Sequence, residues 1–398
     1  MRRIAVFGAA LAALLFGAST GGSEEIRLDD PPPFETRLSF ALRDWTVKKE
    51  GSPDQKALLW TTPLEVRRRI GRVGSVSLLL RDAIASTEGE GKSDYAGLVD
   101  ARLSGALLLD RGRWRVDLSL GLPTGRAPIE PDEELLAGLM ANRLFGFPVK
   151  RLGEGFDVGL GGARVFTVPG GPLVSVGAGY LRNGEYDYIE TDDGTVRYKP
   201  GDEFYLAGGA ARGIEAGGIR YDLSGDIRYR RFARDEKNGS AFFDEGDQVD
   251  LLGEALLHFP SGRTLDLSAF LLFKGEGSEE GAFAAGDPDS LSLERYLVRG
   301  LTGDALELRA EYAHPVSGRL VLLASVAFVD YGEYSGVTTE GERLLGSGRV
   351  WRTGGGARLG LGARSALEIR LSGLFGEAEE GAVDLSGLDA FSSLVWEF

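Results

Sequence analysis

The chain contains no cysteine, which excludes a disulfide framework, a thiolate metal site and the lipidated cysteine of a bacterial lipoprotein. Histidine is almost as scarce. There are two, His258 in "LLHFPSG" and His314 in "YAHPVSG", and both stand beside a short turn, away from where a substrate would arrive, so neither reads as a catalytic base. Cations are outnumbered, 45 Lys and Arg against 60 Asp and Glu. A net charge of -15 without clustered positive charge argues against a nucleic-acid partner. Beyond the N-terminus no apolar run approaches the roughly 20 residues of a membrane-spanning helix. Two methionines against 59 glycines suit strands and turns better than helices.

The opening "MRRIAVFGAALAALLFGASTGG" has two arginines, an uncharged run too short to span a bilayer, and then small residues. This is the pattern of a secretory signal peptide over residues 1–22. Residues 23–33 read as a periplasmic linker, and 34–398 as the folded domain.

From Phe34 onward the dominant signal is alternation with a period of two, in segments of about ten residues, the length of a tilted strand crossing a bilayer. In "WRVDLSLGL" the residues Trp114, Val116, Leu118, Leu120 and Leu122 share one face, and Arg115, Asp117, Ser119 and Gly121 share the other. "IRYDLSGDIRYRR", "RTLDLSAFLLF", "DALELRAEYA" and "SALEIRLSGLF" split in the same way. A soluble sandwich would also alternate, so the connections decide. Short ones, such as "DRGR", "PGGP" and "PSGR", alternate with long polar or acidic ones, such as "STEGEGKSD" and "DEKNGSAFFDEGD". That rhythm predicts an all-β fold: a transmembrane antiparallel up-and-down β-barrel with short periplasmic turns and long extracellular loops. The count is about sixteen strands, with fourteen as the alternative because "SLSLERYLVRG" reads equally as strand or loop. The implied location is the bacterial outer membrane.

The chain ends on "FSSLVWEF". Leu394, Trp396 and Phe398 fall on one face of a last strand, and Ser393, Val395 and Glu397 on the other. A terminal aromatic with apolar residues at alternate positions resembles the signal by which the barrel assembly machinery recognises its substrates. Trp396 and Phe398 are expected in the periplasmic aromatic girdle, and Tyr186 and Tyr188 in the opposite one. The partners this implies are outer-membrane lipid and lipopolysaccharide, the assembly machinery and a small-molecule solute.

Between residues 57 and 190 the sequence "GLVDARLSGALLLDRGRWRVDLSLGLPTG" resembles the MetA-pathway phenol-degradation family, relatives of the FadL-like outer-membrane transporters. The resemblance rests on Gly97 with Asp100, on Pro123, Thr124 and Gly125, and on the later "GEGFDVGLGGARVF". It implies a barrel that passes small, often apolar, molecules.

Candidate sites follow from the inward face. Asp222, Asp226, Arg228 and Arg230 share one face of "IRYDLSGDIRYRR", and a hairpin folding about residue 241 would bring Glu254 opposite Arg228, with Asp250 nearby. This group reads either as a charged constriction or as cross-strand ion pairs that hold the wall. Lumenal Leu252, Phe270 and Leu272 soften it. The loop after Gly125 contains "PDEELLAGLMANRLFGF", whose Leu135, Leu136, Leu139 and Met140 have helical spacing. The helix is a candidate gate or a surface cap. "GEGKS" lacks the first glycine and the following helix of a phosphate-binding loop. No metal site, cofactor or catalytic residue is expected. The composite reading is a channel or diffusion-type transporter for small molecules, hydrophobic or amphipathic ones included, with a barrel enzyme acting on lipid or peptide and a structural or surface-interaction barrel as alternatives.

Overall fold

The computed structural model describes residues 34–397, except 280–302 and scattered loop positions that include 131, 132, 134, 135, 138, 139, 141–143 and 150. Residues 1–33, where the signal peptide and linker are expected, and Phe398 lie outside the described residues.

Sixteen strands make up the barrel: β1 Phe34–Lys49, β2 in two halves Gln55–Thr61 and Leu64–Ile70, β3 Gly74–Glu88, β4 Ser93–Leu109, β5 Trp114–Leu122, β6 Asp157–Thr167, β7 Leu173–Arg182, β8 Glu203–Ala216, β9 Ile219–Phe232, β10 Gln248–His258, β11 Thr264–Lys274, β12 Ala305–Pro315, β13 Leu320–Tyr331, β14 Gly348–Gly362, β15 Ser365–Ala378 and β16 Val383–Glu397. Each pairs antiparallel with the next. The last pairs with the first, from Glu35 opposite Glu397 to Lys49 opposite Val383. Closure leaves no sheet edge, so every strand ladder is satisfied within the wall.

The alternation sorts the faces as the sequence indicates. On β5, Trp114 and Leu118 are 44% and 46% exposed and point outward, while Arg115 and Asp117 are buried and point inward. A soluble protein would reverse this. Outward aromatic rings collect at both ends of the apolar band. Phe34, Trp114 and Phe166 stand at the short-turn end, and Trp60, Tyr180, Phe204, Phe273 and Phe375 at the other. Arg164 lies 4.9 Å above the Trp114 ring and 5.0 Å from Phe166, covering its charge with aromatic faces.

Carboxylates complete the ladder where it stops. Pro63 has no N–H to give and separates the halves of β2, and the neighbouring Thr62 N–H donates to Asp82 at 2.8 Å. Asp202 accepts from Asn183 N–H at 3.1 Å and Asp304 from Lys274 N–H at 2.8 Å.

Both described ends of the chain lie with the short turns. Above the opposite end, loop segments form a five-stranded sheet in the order Ser278–Glu279, Ser240–Asp244, Asp235–Lys237, Gly194–Lys199, Tyr186–Thr191. Tyr186 and Tyr188 belong to this sheet. The expectation that they join the outer girdle is therefore corrected: both are buried, packed against Tyr198 with ring centroids 6.0 Å away. Their alternation is that of a loop hairpin rather than of a wall strand.

Candidate functional site

The segment between β5 and β6 folds into the barrel and is tied down at both ends by one side chain. The Asp100 carboxylate on β4 accepts the Gly125 N–H at 2.7 Å and the Glu154 N–H at 2.5 Å. Beside it, Ala101 N–H donates to the Thr124 hydroxyl at 2.9 Å, and Asp100 N–H to the Leu152 carbonyl at 2.8 Å. Gly125 passes so close that a Cβ there would lie 2.0 Å from the Leu152 carbonyl oxygen, and one on Gly97 would lie 3.1 Å from Leu152 Cδ1. The short motif thus has a local physical role: its glycines let backbone reach backbone, and its aspartate and threonine take up the freed N–H groups. Pro123 is exposed at the end of β5.

Apolar side chains carry this loop against one side of the lumen. Ile129, Leu136, Met140, Phe145, Phe147 and Leu152 form a cluster with Trp45, Leu59, Tyr95, Val350, Leu374 and Leu385, which project inward from β1, β2, β4, β14, β15 and β16. Leu136 and Met140 are helical and almost fully buried, so the candidate helix points part of its apolar face into the lumen. Leu135 and Leu139 lie outside the described residues. Polar latches add to the packing. Arg43 makes a bidentate pair with Asp389, at 2.8 and 3.2 Å, and also donates to the Phe145 and Gly146 carbonyls. The Trp45 indole N–H donates to the Phe145 carbonyl at 2.9 Å, and Arg81 to that of Pro148 at 3.1 Å.

Outward of these, Arg126 pairs with Glu133 at 2.6 Å and Glu130 at 3.0 Å. Burial lowers the pKa of its guanidinium, but the hydrogen bond and charge of Glu133 more than reverse this, and the pKa is raised. Arg151 is held between the Tyr186 and Tyr188 rings, 4.5 and 4.6 Å from their centroids. It joins the inward loop to the external sheet.

In a ring of sixteen, β9 and β10 face β1 and β2, the side the loop does not occupy. Asp222, Asp226, Arg228 and Arg230 all point inward from β9, as their spacing predicts. Arg228 lies opposite Asp250 and bonds it at 2.8 Å, while Arg230 bonds the other Asp250 oxygen at 2.8 Å. Glu254 does not face Arg228. It lies opposite Ser224, whose hydroxyl donates to it at 3.1 Å. The displacement has a local cause: the hairpin folds about Asn238 and Gly239, whose φ angles are 50° and 75°, rather than about residue 241. An Asn-Gly turn with both φ positive matches strand twist, and the register follows it. Leu252, Phe270 and Leu272 face inward beside these charges. Glu254 is exposed although it points inward, so water reaches the wall at its level, whereas Arg230, Asp250 and Leu272, nearer the long-loop end, are buried.

Sequence reasoning missed a second charged group. Glu311 on β12 accepts from Arg309 at 2.6 Å and, across the lumen wall, from Arg370 on β15 at 3.0 Å. Arg370 also donates to Glu368 at 2.6 Å, which accepts from Arg358 at 2.7 Å. Arg370 passes over β14, where the inward positions are Gly354 and Gly356. A Cβ on Gly356 would lie 3.0 Å from Arg370 Cγ. The glycine pattern of "GGGARLGLG" was the available signal, but it does not say which charges meet above it.

The two histidines part company. His258 faces inward and contacts Asp222 at 3.1 Å, while His314 faces outward and stacks on Tyr312. Among the described residues no group of three or more His, Asp or Glu side chains is placed to hold a metal ion. Leu394 and Trp396 share the outward face of β16, opposite Leu38 and Thr36.

No family model and no curated protein matches the chain. Solved structures overlay on it loosely. OccAB3 of Acinetobacter baumannii gives a TM-score of 0.44 at 10% identity over 92% of this chain and 99% of its own. OpdQ of Pseudomonas aeruginosa gives 0.42 at 13%, over 91% and 98%. The translocator domain of the autotransporter NalP from Neisseria meningitidis gives 0.33 at 10%, over 100% and 96%. Likenesses this distant say nothing of activity or solute.

Proposed function

We propose that the chain is a bacterial outer-membrane channel that lets small molecules diffuse through its lumen. One observation carries the reading: a closed sixteen-stranded wall with an apolar outer face and a charged inner face, whose inward loop packs on β1, β2, β4, β14, β15 and β16. Sixteen strands enclose a lumen wide enough for water, and inward carboxylates such as Glu254 are solvated there. The apolar band with aromatic rings at both ends fits a bilayer. Short turns with both chain ends would face the periplasm, and the loop sheet would face outside. The C-terminal strand, with Leu394 and Trp396 outward and Phe398 next on that face by sequence, would serve the assembly machinery.

The solutes that suit the passage are small and amphipathic, because Leu252 and Phe270 lie beside Asp226 and Glu254 on the inner wall. The likeness of Gly97, Asp100, Thr124 and Gly125 to the phenol-degradation and FadL-like barrels supports this class. Reconstitution into planar bilayers and swelling of proteoliposomes in small aromatic and aliphatic solutes test it. Stepwise conductance and solute-dependent swelling are expected. Folded protein that conducts nothing and passes nothing would make the barrel a structural one.

A further inference from the structure

The wall strands carry few outward cations at the long-loop end, and most are neutralised. Lys48 pairs with Asp54 at 3.7 Å, Lys56 with Glu88 at 3.8 Å, and Arg349 with Asp330 at 3.0 Å and Glu377 at 3.9 Å. Two differ. Arg182 on β7 and Arg231 on β9 are exposed, and neither guanidinium is hydrogen-bonded or ion-paired among the described residues.

These two arginines occupy equivalent places in neighbouring hairpins. Each stands two residues beyond an outward tyrosine, Tyr180 or Tyr229, and so on the same face of its strand. Each tyrosine hydroxyl donates to an aspartate that precedes the next strand. Tyr180 bonds Asp202, and Tyr229 bonds Asp247 at 2.5 Å. Asp202 also takes the Asn183 N–H. Asp202 and Asp247 thus hold a tyrosine hydroxyl rather than an arginine. Phe204 on β8, exposed between them, pairs in register with Tyr180 on one side and Arg231 on the other. An apolar ring flanked by unpaired cations, at the upper limit of the apolar band, matches a lipid whose chain lies below and whose anionic headgroup lies above.

We propose that the rim formed by Tyr180, Arg182, Phe204, Tyr229 and Arg231 docks a phosphorylated lipid of the outer leaflet, its phosphate held by the two arginines and its acyl chain against Phe204. Arg is suited to phosphate because its planar fork donates two parallel hydrogen bonds. The site rests on the membrane location and orientation proposed above.

The test uses the purified, folded full chain in detergent, with lipid A as probe in its phosphorylated and dephosphorylated forms and retention read by native mass spectrometry. Wild-type protein is expected to retain the phosphorylated form about tenfold better, since each arginine near an anionic surface contributes appreciably. The double variant Arg182→Gln/Arg231→Gln should lose that preference while keeping the electrophoretic mobility of a folded barrel. Undiminished preference in the double variant, or an equal loss in Arg349→Gln, would overturn the proposal. So would displacement of the lipid by excess inorganic phosphate alone. Because binding is measured on purified protein, it reads the arginines independently of cellular location, which outer-membrane fractionation of the wild-type chain tests by itself.

Discussion

Asp100 and Gly125 are 25 residues apart, and the carboxylate of the first accepts the backbone N–H of the second at 2.7 Å. The same carboxylate holds Glu154 N–H at 2.5 Å, so one side chain on the wall closes the inward loop at its base. Replacing Asp100 with Asn leaves a single acceptor for two N–H donors and should cost roughly 1–3 kcal/mol of loop seating. The expected result is a barrel that still folds but whose 123–156 segment is cut faster by protease. Equal cleavage rates in variant and wild type would show that the loop is held by its apolar contacts alone.

Removing the obstruction should widen the passage. With residues 131–147 replaced by a short Gly/Ser linker, Phe145, Phe147 and Met140 no longer cover Trp45 and Leu385. Single-channel conductance and solute flux are expected to rise at unchanged yield of folded barrel, because the strand ladder does not include this segment. Unchanged conductance in the folded variant would make the loop a lining rather than a gate.

The two faces of the wall should respond oppositely to charge. Leu118 points outward and is 46% exposed, so Leu118→Arg is expected to destabilise the barrel by about 2–4 kcal/mol at mid-bilayer depth. Glu254 points into water, and Glu254→Arg should leave the refolding midpoint nearly unchanged. Ser119, although inward, is buried, which makes Glu254 the better lumenal control. A denaturant titration in lipid that ranks the two variants the other way would invert the assignment of faces.

Arg370 reaches Glu311 over Gly354 and Gly356, and Arg370→Ala removes a cation from the lumen while Arg309 still holds Glu311. The reversal potential in a salt gradient should move towards cation preference, by a few-fold in permeability ratio, and the shift should shrink at high salt as screening grows. An unchanged reversal potential would mean that this group does not border the ion path.

The barrel was legible in the sequence because a period of two needs no long-range information. Trp114 and Leu118 on one face, with Arg115 and Asp117 on the other, declare a two-faced strand by themselves, and the rhythm of short turns and long loops then makes it a barrel wall and sets the count and the two ends. The faces of Asp222, Asp226, Arg228 and Arg230 followed from parity alone. What parity cannot give is register, since that is set by the turn. Asn238 and Gly239 moved Glu254 from Arg228 to Ser224. Nor can it give contacts between strands that are not neighbours. The Arg370 to Glu311 bond spans β13 and β14, and it exists because ring closure curves the wall and glycines clear the way. The loop helix shows the same division. Leu136 and Met140 announced an apolar face, but only the closed barrel supplied Trp45, Val350 and Leu385 as the surface to bury it, because those residues converge only when the first strand pairs with the last.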